Sequence, residues 1–182
     1  MQLIARMSIP FVSIFALFLW PGAALAASGS TLAQFAASPN GYAAIVTKSS
    51  TFVPDCTPTV RTNCCVAYMA SLLTLHGYKI PSMYNGRFVG GQTKPFMDYI
   101  QYILRFAPIN DWRSLQAGDI VFTQPDGESE GMPSHSYLFH SWYLRSQGKA
   151  NVVDNQGSVH VRDVLGSGDF NWSPFLRAFR PN

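Results

Sequence analysis

Charged residues are scarce in this sequence of 182 residues, and several common functional motifs are missing. Asp, Glu, Lys and Arg make up only 13% of the chain, and the basic residues are scattered rather than clustered, which argues against nucleic acid as a partner. No Cys-x-x-Cys or His-x-x-x-His pair has metal-ligand spacing, no glycine-rich phosphate loop follows a strand, and no Gly-x-Ser-x-Gly occurs. We therefore expect neither a metal nor another cofactor.

Long apolar runs are also scarce, and the one that stands out lies near the N-terminus. Residues 1–7 carry one positive charge, on Arg6, and a mostly apolar run covers residues 9–20. Pro21 and Gly22 then break the run, and small residues in an Ala-x-Ala arrangement follow. This layout predicts a signal peptide over residues 1–26, cleaved near Ala26 or Ala27. The alternative is a retained anchor, but the run is shorter than the ~20 residues of a bilayer span. We expect export to the periplasm or beyond, without stable membrane insertion, and one domain over residues 27–182.

The order of predicted elements is helices first and strands second. Helices are predicted over residues 28–37, 63–76 and 94–106, with loops over 48–63 and 81–91. Strands are predicted over residues 118–123, 135–144, 149–154, 158–162 and 176–180, with a polar loop over 124–133. This order predicts an α+β fold in which N-terminal helices pack on an antiparallel sheet.

Three cysteines in an exported chain leave one unpaired after any internal disulfide. Asn63 is a good N-cap for the helix over 63–76, so Cys64 and Cys65 lie in its first turn, where the helix dipole favours the thiolate. At about 100° per residue, Cys65 falls on the stripe that must pack on the sheet, whereas Cys64 lies at its edge. Cys65 is therefore the candidate nucleophile.

Cys56 and Cys64 are expected to form a disulfide that closes a short loop containing Pro58, with Cys65 free. A strained disulfide between Cys64 and Cys65 and three free thiols are the alternatives. A buried, inert Cys65 that packs as a small hydrophobe is the plain structural interpretation of the third thiol.

Four histidines are candidates for the base. His76 lies eleven residues along the helix from the thiol, about 16 Å, which is too far for contact. His160 sits in a weak strand and is expected to be solvated. His135 and His140 point to opposite faces of one strand. His135 is favoured because it opens the strand just after the loop over 124–133, where a catalytic rim is expected.

A third polar group usually orients such a histidine. If the strands over 135–144 and 149–154 pair as a hairpin, Asp154 or Asn155 returns close to His135. Asp154 continues the strand alternation and is slightly preferred, whereas Asn155 begins the turn. Ordinary turn chemistry explains both residues equally well.

Four segments together resemble the NlpC/P60 and CHAP group of papain-like cysteine peptidases and amidases. They are the helix opened by Asn63-Cys64-Cys65, the strand Leu115-Gln116-Ala117-Gly118-Asp119-Ile120-Val121-Phe122, the strand Ser134-His135-Ser136-Tyr137-Leu138-Phe139, and Val152-Val153-Asp154-Asn155. Together they span about half of the chain. Three features depart from the family pattern: Val66 follows the cysteine, Ser134 replaces a glycine, and the oxyanion residue is not evident, with Tyr42 and the Cys65 N–H as the candidates.

The resemblance implies a papain-like core and hydrolysis of amide bonds, above all in peptidoglycan stem peptides or another peptide substrate. The motif order is also similar to that of bacterial amidase toxins, a role that would add an immunity or inhibitor protein as a partner. The alternatives are an exported binding module that has kept the fold without the chemistry, and a cysteine hydrolase or acyltransferase with a substrate outside the cell wall.

Overall fold

The computed structural model describes residues 28–124, 133–166 and 174–182 of the chain. The predicted signal peptide and most of the predicted loop over 124–133 lie outside these residues. The helices are α1 (Gly29–Ala37), α2 (Pro39–Ser49), α3 (Cys65–Leu75) and α4 (Thr93–Tyr102). The strands are β1 (Met83–Tyr84), β2 (Arg87–Phe88), β3 (Ala107–Ile109), β4 (Ile120–Thr123), β5 (Ser136–Leu144), β6 (Lys149–Asp154), β7 (Gly157–Asp163) and β8 (Phe175–Arg180).

The main sheet has six antiparallel strands in the order β3-β8-β4-β5-β6-β7, and β1 and β2 form a separate two-stranded hairpin. The predicted α+β class with an antiparallel sheet is confirmed. Within the described residues, no helix is long and apolar enough to cross a membrane.

Two apolar clusters lie on opposite faces of this sheet. The larger one joins the helices to one face and contains Leu138 and Val153 beside residues of α1, α2, α3 and α4. The smaller one lies on the other face and contains Tyr137, Phe139 and Val152. Neighbouring residues of β5 and β6 therefore face opposite layers, as strand alternation requires. This alternation determines which polar side chains at the start of β5 and the end of β6 lie on the same face of the sheet.

The junction between α1 and α2 differs from the prediction. The predicted helix over residues 28–37 ends as expected, but Ser38 also begins a second helix that was not predicted. Its hydroxyl accepts a hydrogen bond from the Gly41 N–H at 3.1 Å, and Pro39 occupies the first helical position. A serine N-cap followed by proline is a strong helix start, so the same residues that end α1 also begin α2.

Helix α3 begins later than predicted, and Asn63 is not its N-cap. Asn63 has φ of 59°, a left-handed conformation that asparagine tolerates, so the N-cap position falls to Cys64. The helix ends as predicted, with His76 as its C-cap and Gly77 directly after it. Gly77 has φ of 86°, and the Tyr78 N–H donates to the Leu73 carbonyl in the 6→1 bond of a Schellman cap.

Helix α4 ends at Tyr102, four residues before the predicted end at 106. Arg105 has φ of 57°, which is incompatible with a continuing right-handed helix. The chain then enters β3, which pairs with β8, so residues that were predicted to be helical lead into the edge of the sheet. The loop predicted over 81–91 contains β1 and β2 as a short hairpin.

The Leu-x-x-Gly-Asp segment has a structural task in this fold. Asp119 is 1% exposed, and its carboxylate accepts two hydrogen bonds of 2.9 Å from Arg180 and one of 2.7 Å from the Gln116 N–H. Gly118 has φ of 91°, and an added Cβ would lie 1.9 Å from the Gly29 carbonyl oxygen. The motif therefore anchors the closing strand β8 and the start of α1 beside β4.

Candidate active site

Cys65 is the first residue of α3, and its side chain is buried, with the residue only 7% exposed. The preceding residue, Cys64, is bonded to Cys56, with their Cα atoms 5.7 Å apart. The predicted disulfide is therefore confirmed, and Cys65 is the free thiol. The helix start places this thiol against the beginning of β5.

His135 lies immediately before β5, and its backbone is fixed to the end of β4. Its N–H donates to the Thr123 hydroxyl at 3.1 Å, and its carbonyl accepts from the Thr123 N–H at 3.1 Å. The Ser134 hydroxyl donates to the Gln124 carbonyl at 2.7 Å. Ser134 therefore links the segment that carries His135 to the residue that follows β4.

Asp154 is the carboxylate that meets the His135 ring. The His135 Nε2 atom lies 2.9 Å from Asp154 Oδ2, and Asp154 is completely buried. Leu138 of β5 pairs with Val153 of β6. Because the strands are antiparallel, Asp154, the next residue of β6, lies beside the start of β5. With Nε2 bound to the carboxylate, Nδ1 is the ring nitrogen available to the Cys65 thiol.

The electrostatics of the thiol and the imidazole indicate an ion pair. Burial alone would raise the pKa of Cys65, but hydrogen bonding and charge from His135, with hydrogen bonding from Ser136, outweigh it and hold that pKa below the ordinary thiol value. Burial alone would lower the pKa of His135, but its hydrogen bonds to Asp154 and Cys65 prevail and raise that pKa to about 9. A thiolate beside an imidazolium is the reactive form of a cysteine nucleophile.

Ser136 is a contact that sequence reasoning missed. It is completely buried at the start of β5, and both its backbone and its side chain lower the pKa of Cys65. Within the described residues its hydroxyl has no hydrogen bond of standard geometry. The hydroxyl is therefore available to stabilise the charged sulfur.

A buried arginine, which sequence reasoning missed, holds the carboxylate. Arg162 donates to Asp154 Oδ2 from Nε at 3.1 Å and from Nη2 at 2.7 Å, and it is 5% exposed. Gln156 completes the arrangement, because its N–H donates to Asp154 Oδ1 at 2.7 Å and its side-chain oxygen accepts from Arg162 at 2.7 Å. Burial would raise the pKa of Asp154, but the hydrogen bonds from His135 and His160 and the Arg162 charge hold it far below the usual range.

The prediction that His160 is solvated is wrong. It pairs in the sheet opposite Val152, and its Nε2 atom lies 3.5 Å from Asp154 Oδ2. Its position on β7 brings it to the same carboxylate as His135, because the two strands that flank β6, β5 and β7, both begin near the turn at residues 155–156 where β6 ends. The prediction failed because the pairing of β6 with β7 was too weakly marked in the sequence.

The other predicted residues lie around this centre. Asn155 points elsewhere, since its amide donates to the Arg61 carbonyl, and Tyr42 donates to the Asn155 carbonyl at 3.4 Å. His76 bonds the Leu72 carbonyl of its own helix at 2.9 Å, and His140 lies 3.1 Å from the Ser141 hydroxyl. Neither Asn155, His76 nor His140 has a hydrogen bond or ion pair to the Cys65–His135–Asp154 group. The oxyanion role of Tyr42 stays a prediction.

Within the ranges that the structure describes, no group of three or more His, Cys, Asp or Glu side chains is arranged to hold a metal ion. No protein-family model matches the chain, and a search of curated proteins finds no match.

Proposed function

We propose that this protein is an exported cysteine peptidase or amidase with a papain-like, NlpC/P60- or CHAP-type core. The observation that carries the proposal is the connected group of Cys65, His135 and Asp154, in which a free thiol at a helix N-terminus is paired with a histidine held by a buried carboxylate. A nucleophile, its base and an orienting group in that order are the components of nucleophilic amide hydrolysis. The disulfide beside the nucleophile fits an oxidising compartment outside the cytoplasm.

In the proposed first step, the Cys65 thiolate attacks the carbonyl carbon of an amide, and the carbonyl oxygen takes up the negative charge. The His135 imidazolium then gives its proton to the amine nitrogen, the C–N bond breaks, and a thioester to Cys65 remains. Neutral His135 next removes a proton from water, whose oxygen attacks the thioester. The carboxylic acid leaves, and the thiolate and imidazolium are regenerated.

Asp154 has an orienting role in this scheme. Its carboxylate holds Nε2 of His135, which leaves Nδ1 facing the thiol throughout the cycle. Arg162 and the Gln156 N–H fix the carboxylate from the other side. Because the thiolate and Asp154 are balanced by His135 and Arg162, the four groups are neutral in sum, which suits a buried site.

We propose peptidoglycan stem peptides as the substrate, the most frequent target of the group that the motif order resembles. The test is mass analysis of purified peptidoglycan after incubation with the mature protein, beside a Cys65→Ala variant. New stem-peptide fragments that appear only with the wild type would establish amide hydrolysis and identify the bond. If neither sample changes while Cys65 still reacts as a thiolate, the substrate lies outside the cell wall. An unreactive Cys65 would favour a binding module.

A further inference from the structure

His160 is an ionisable residue beside the candidate site that has no part in the proposed mechanism. Its Nε2 atom lies 3.5 Å from Asp154 Oδ2, the oxygen that also holds Nε2 of His135 at 2.9 Å. The His160 side chain is 25% exposed, yet both of its ring nitrogens are buried, and within the described residues neither has a hydrogen bond of standard geometry. A buried polar atom without a partner is costly, so the Asp154 carboxylate is the group that can satisfy Nε2.

An irregularity in β7 brings this ring to the carboxylate. Val152 pairs with His160 and Asp154 pairs with Gly157, so β7 has one residue more than β6 between the two pairs. Such bulges bend a strand and redirect side chains, and they are frequent beside active sites. A Cβ added to Gly157 would lie only 3.1 Å from Nδ1 of His160. The ring therefore lies in the space that a side chain at position 157, directly across from Asp154, would need.

Three side chains lie within 3.5 Å of Asp154 Oδ2, namely His135, Arg162 and His160. Donors that share one oxygen compete for it, so a third donor weakens the hold of the carboxylate on His135. Burial alone would raise the pKa of Asp154, and hydrogen bonds from His135 and then His160 are the largest influences that lower it. The four charges of the proposed mechanism already sum to zero, and a neutral His160 ring preserves this balance.

We propose that His160 is a second positioning residue of the site, which donates from Nε2–H to Asp154 Oδ2 and thereby limits how strongly the carboxylate holds His135. The inference rests on the proposed function, because it assigns His160 to the orientation and the acid strength of the proposed base. His135 must release its Nδ1 proton to the leaving amine, and a carboxylate that binds the imidazolium less tightly makes it a stronger acid.

The first test is the pH dependence of Cys65 alkylation by iodoacetamide, in the wild type and in a His160→Leu variant. Loss of the third donor leaves Asp154 to bind the imidazolium more tightly, so the inflection near pH 9 should move up by about 0.5 unit. His160→Gln keeps an N–H donor close to the position of Nε2 and should restore the wild-type inflection. His140→Leu, on β5 and in contact with Ser141, is the matched control and should leave it unchanged.

The other ionisable groups around the carboxylate come from α2, α3, β5 and β7. Tyr42, Tyr68 and Tyr137 feel its charge, and burial is the largest cause that raises the pKa of each phenol above the ordinary value. Arg162 carries a fixed charge. An inflection near pH 9 that responds to His160 therefore reports on the imidazolium rather than on these neighbours.

The tautomer of His160 can be measured in the wild type without any substitution. Long-range ¹H–¹⁵N NMR distinguishes the two ring nitrogens, and we expect the proton of neutral His160 on Nε2. A proton on Nδ1 would overturn the inference. So would an inflection that stays in place in His160→Leu, or one that moves equally in His160→Gln.

Cleavage of peptidoglycan separates this inference from the proposed function. An upward shift in His160→Leu, without cleavage by the wild type, would support the role of His160 and refute the proposed substrate. Cleavage by the wild type, with the inflection unchanged in His160→Leu, would leave the proposed function standing and refute the role of His160. Where the wild type cleaves and the inflection moves, kcat of His160→Leu should fall about 3-fold with KM unchanged, because the imidazolium is a weaker acid.

Discussion

Reactivity of Cys65 as a function of pH tests the ion pair most directly. The disulfide removes Cys56 and Cys64 from reaction, so a neutral alkylating reagent such as iodoacetamide reports on Cys65. We expect the thiolate to form below the ordinary thiol pKa, and a second inflection in the rate near pH 9 as His135 loses its proton. Because both groups titrate as one pair, the two inflections belong to the pair.

His135→Gln is expected to reverse the direction of the Cys65 shift. Burial is the largest influence on the thiol and would raise its pKa, so without the imidazolium the thiolate should form only above the ordinary value. A thiol of pKa ~8.5 is about 3% ionised at pH 7, and the variant should carry less. We therefore expect the wild type to be alkylated at least ~10-fold faster at pH 7. His140→Gln, on the same strand but without contact to the thiol, is the matched control and should behave as wild type.

His135 makes stability depend on pH with a defined sign, and the lowered pKa of Cys65 contributes with the opposite sign, because its stabilisation is gained as the pH rises towards the ordinary thiol value. The His135 pKa is raised from 6.5 in the unfolded chain to about 9, so its contribution is fully present below pH 6.5 and is lost as the pH rises through 9. The difference corresponds to roughly 3 kcal/mol. Denaturant titrations between pH 6 and pH 10 would measure this loss, which His135→Gln should abolish. In the alkylation experiment, a single ionisation of wild-type Cys65 at pH 8.5 or above would refute the ion pair, and with it the mechanism.

Three further variants probe the residues that surround the pair of Cys65 and His135. Asp154→Asn should lower kcat by at least about 100-fold with a smaller effect on KM, because His135 loses its orienting carboxylate; steady-state kinetics measure this, and an unchanged kcat would exclude the role. Arg162→Met should lower the free energy of unfolding by about 3 kcal/mol in urea, since the buried carboxylate loses its partner, and a stable variant would contradict that pairing. Replacing Cys56 and Cys64 with serine should cost ~2.5 kcal/mol, from the closure entropy of a loop with a sequence separation of 8; an unchanged urea midpoint would show that the loop is not held by the disulfide.

The parts of the site that are local in sequence could be predicted. Short stretches of sequence indicate the thiol at the start of α3 and the two-residue turn after β6. The odd number of cysteines likewise indicates one free thiol. The turn at residues 155–156 returns β7 along β6, and the alternation of β5 and β6 brings Asp154 rather than Asn155 to the face of His135. Local pattern and strand periodicity were sufficient to predict that Cys65, His135 and Asp154 lie close together, because each lies at an element boundary, and their catalytic roles stay predictions.

The order of strands in the sheet could not be predicted in the same way. Strand β8 lies between β3 and β4, so the last strand of the chain pairs with residues about 60 positions earlier. No turn signal links such distant segments. The ion pair of Asp119 with Arg180 fixes this arrangement, yet neither residue carries a sequence signal for the other. Pairings of this kind are decided by the shared core rather than by any local motif.

Arg162 illustrates where sequence reasoning about the site stops. In the sheet it pairs with Ala150, four residues along β6 from Asp154, so an ideal register would not bring the two side chains together. The register shifts between Val152 and Asp154, and the long arginine side chain extends along the strand to the carboxylate. A buried arginine in a strand must nevertheless find a negative partner, because an unpaired buried charge is too costly. A signal that was not used is the arginine next to Val161 within a strand, because a buried arginine requires a carboxylate on its face of the sheet, and Asp154 is that carboxylate.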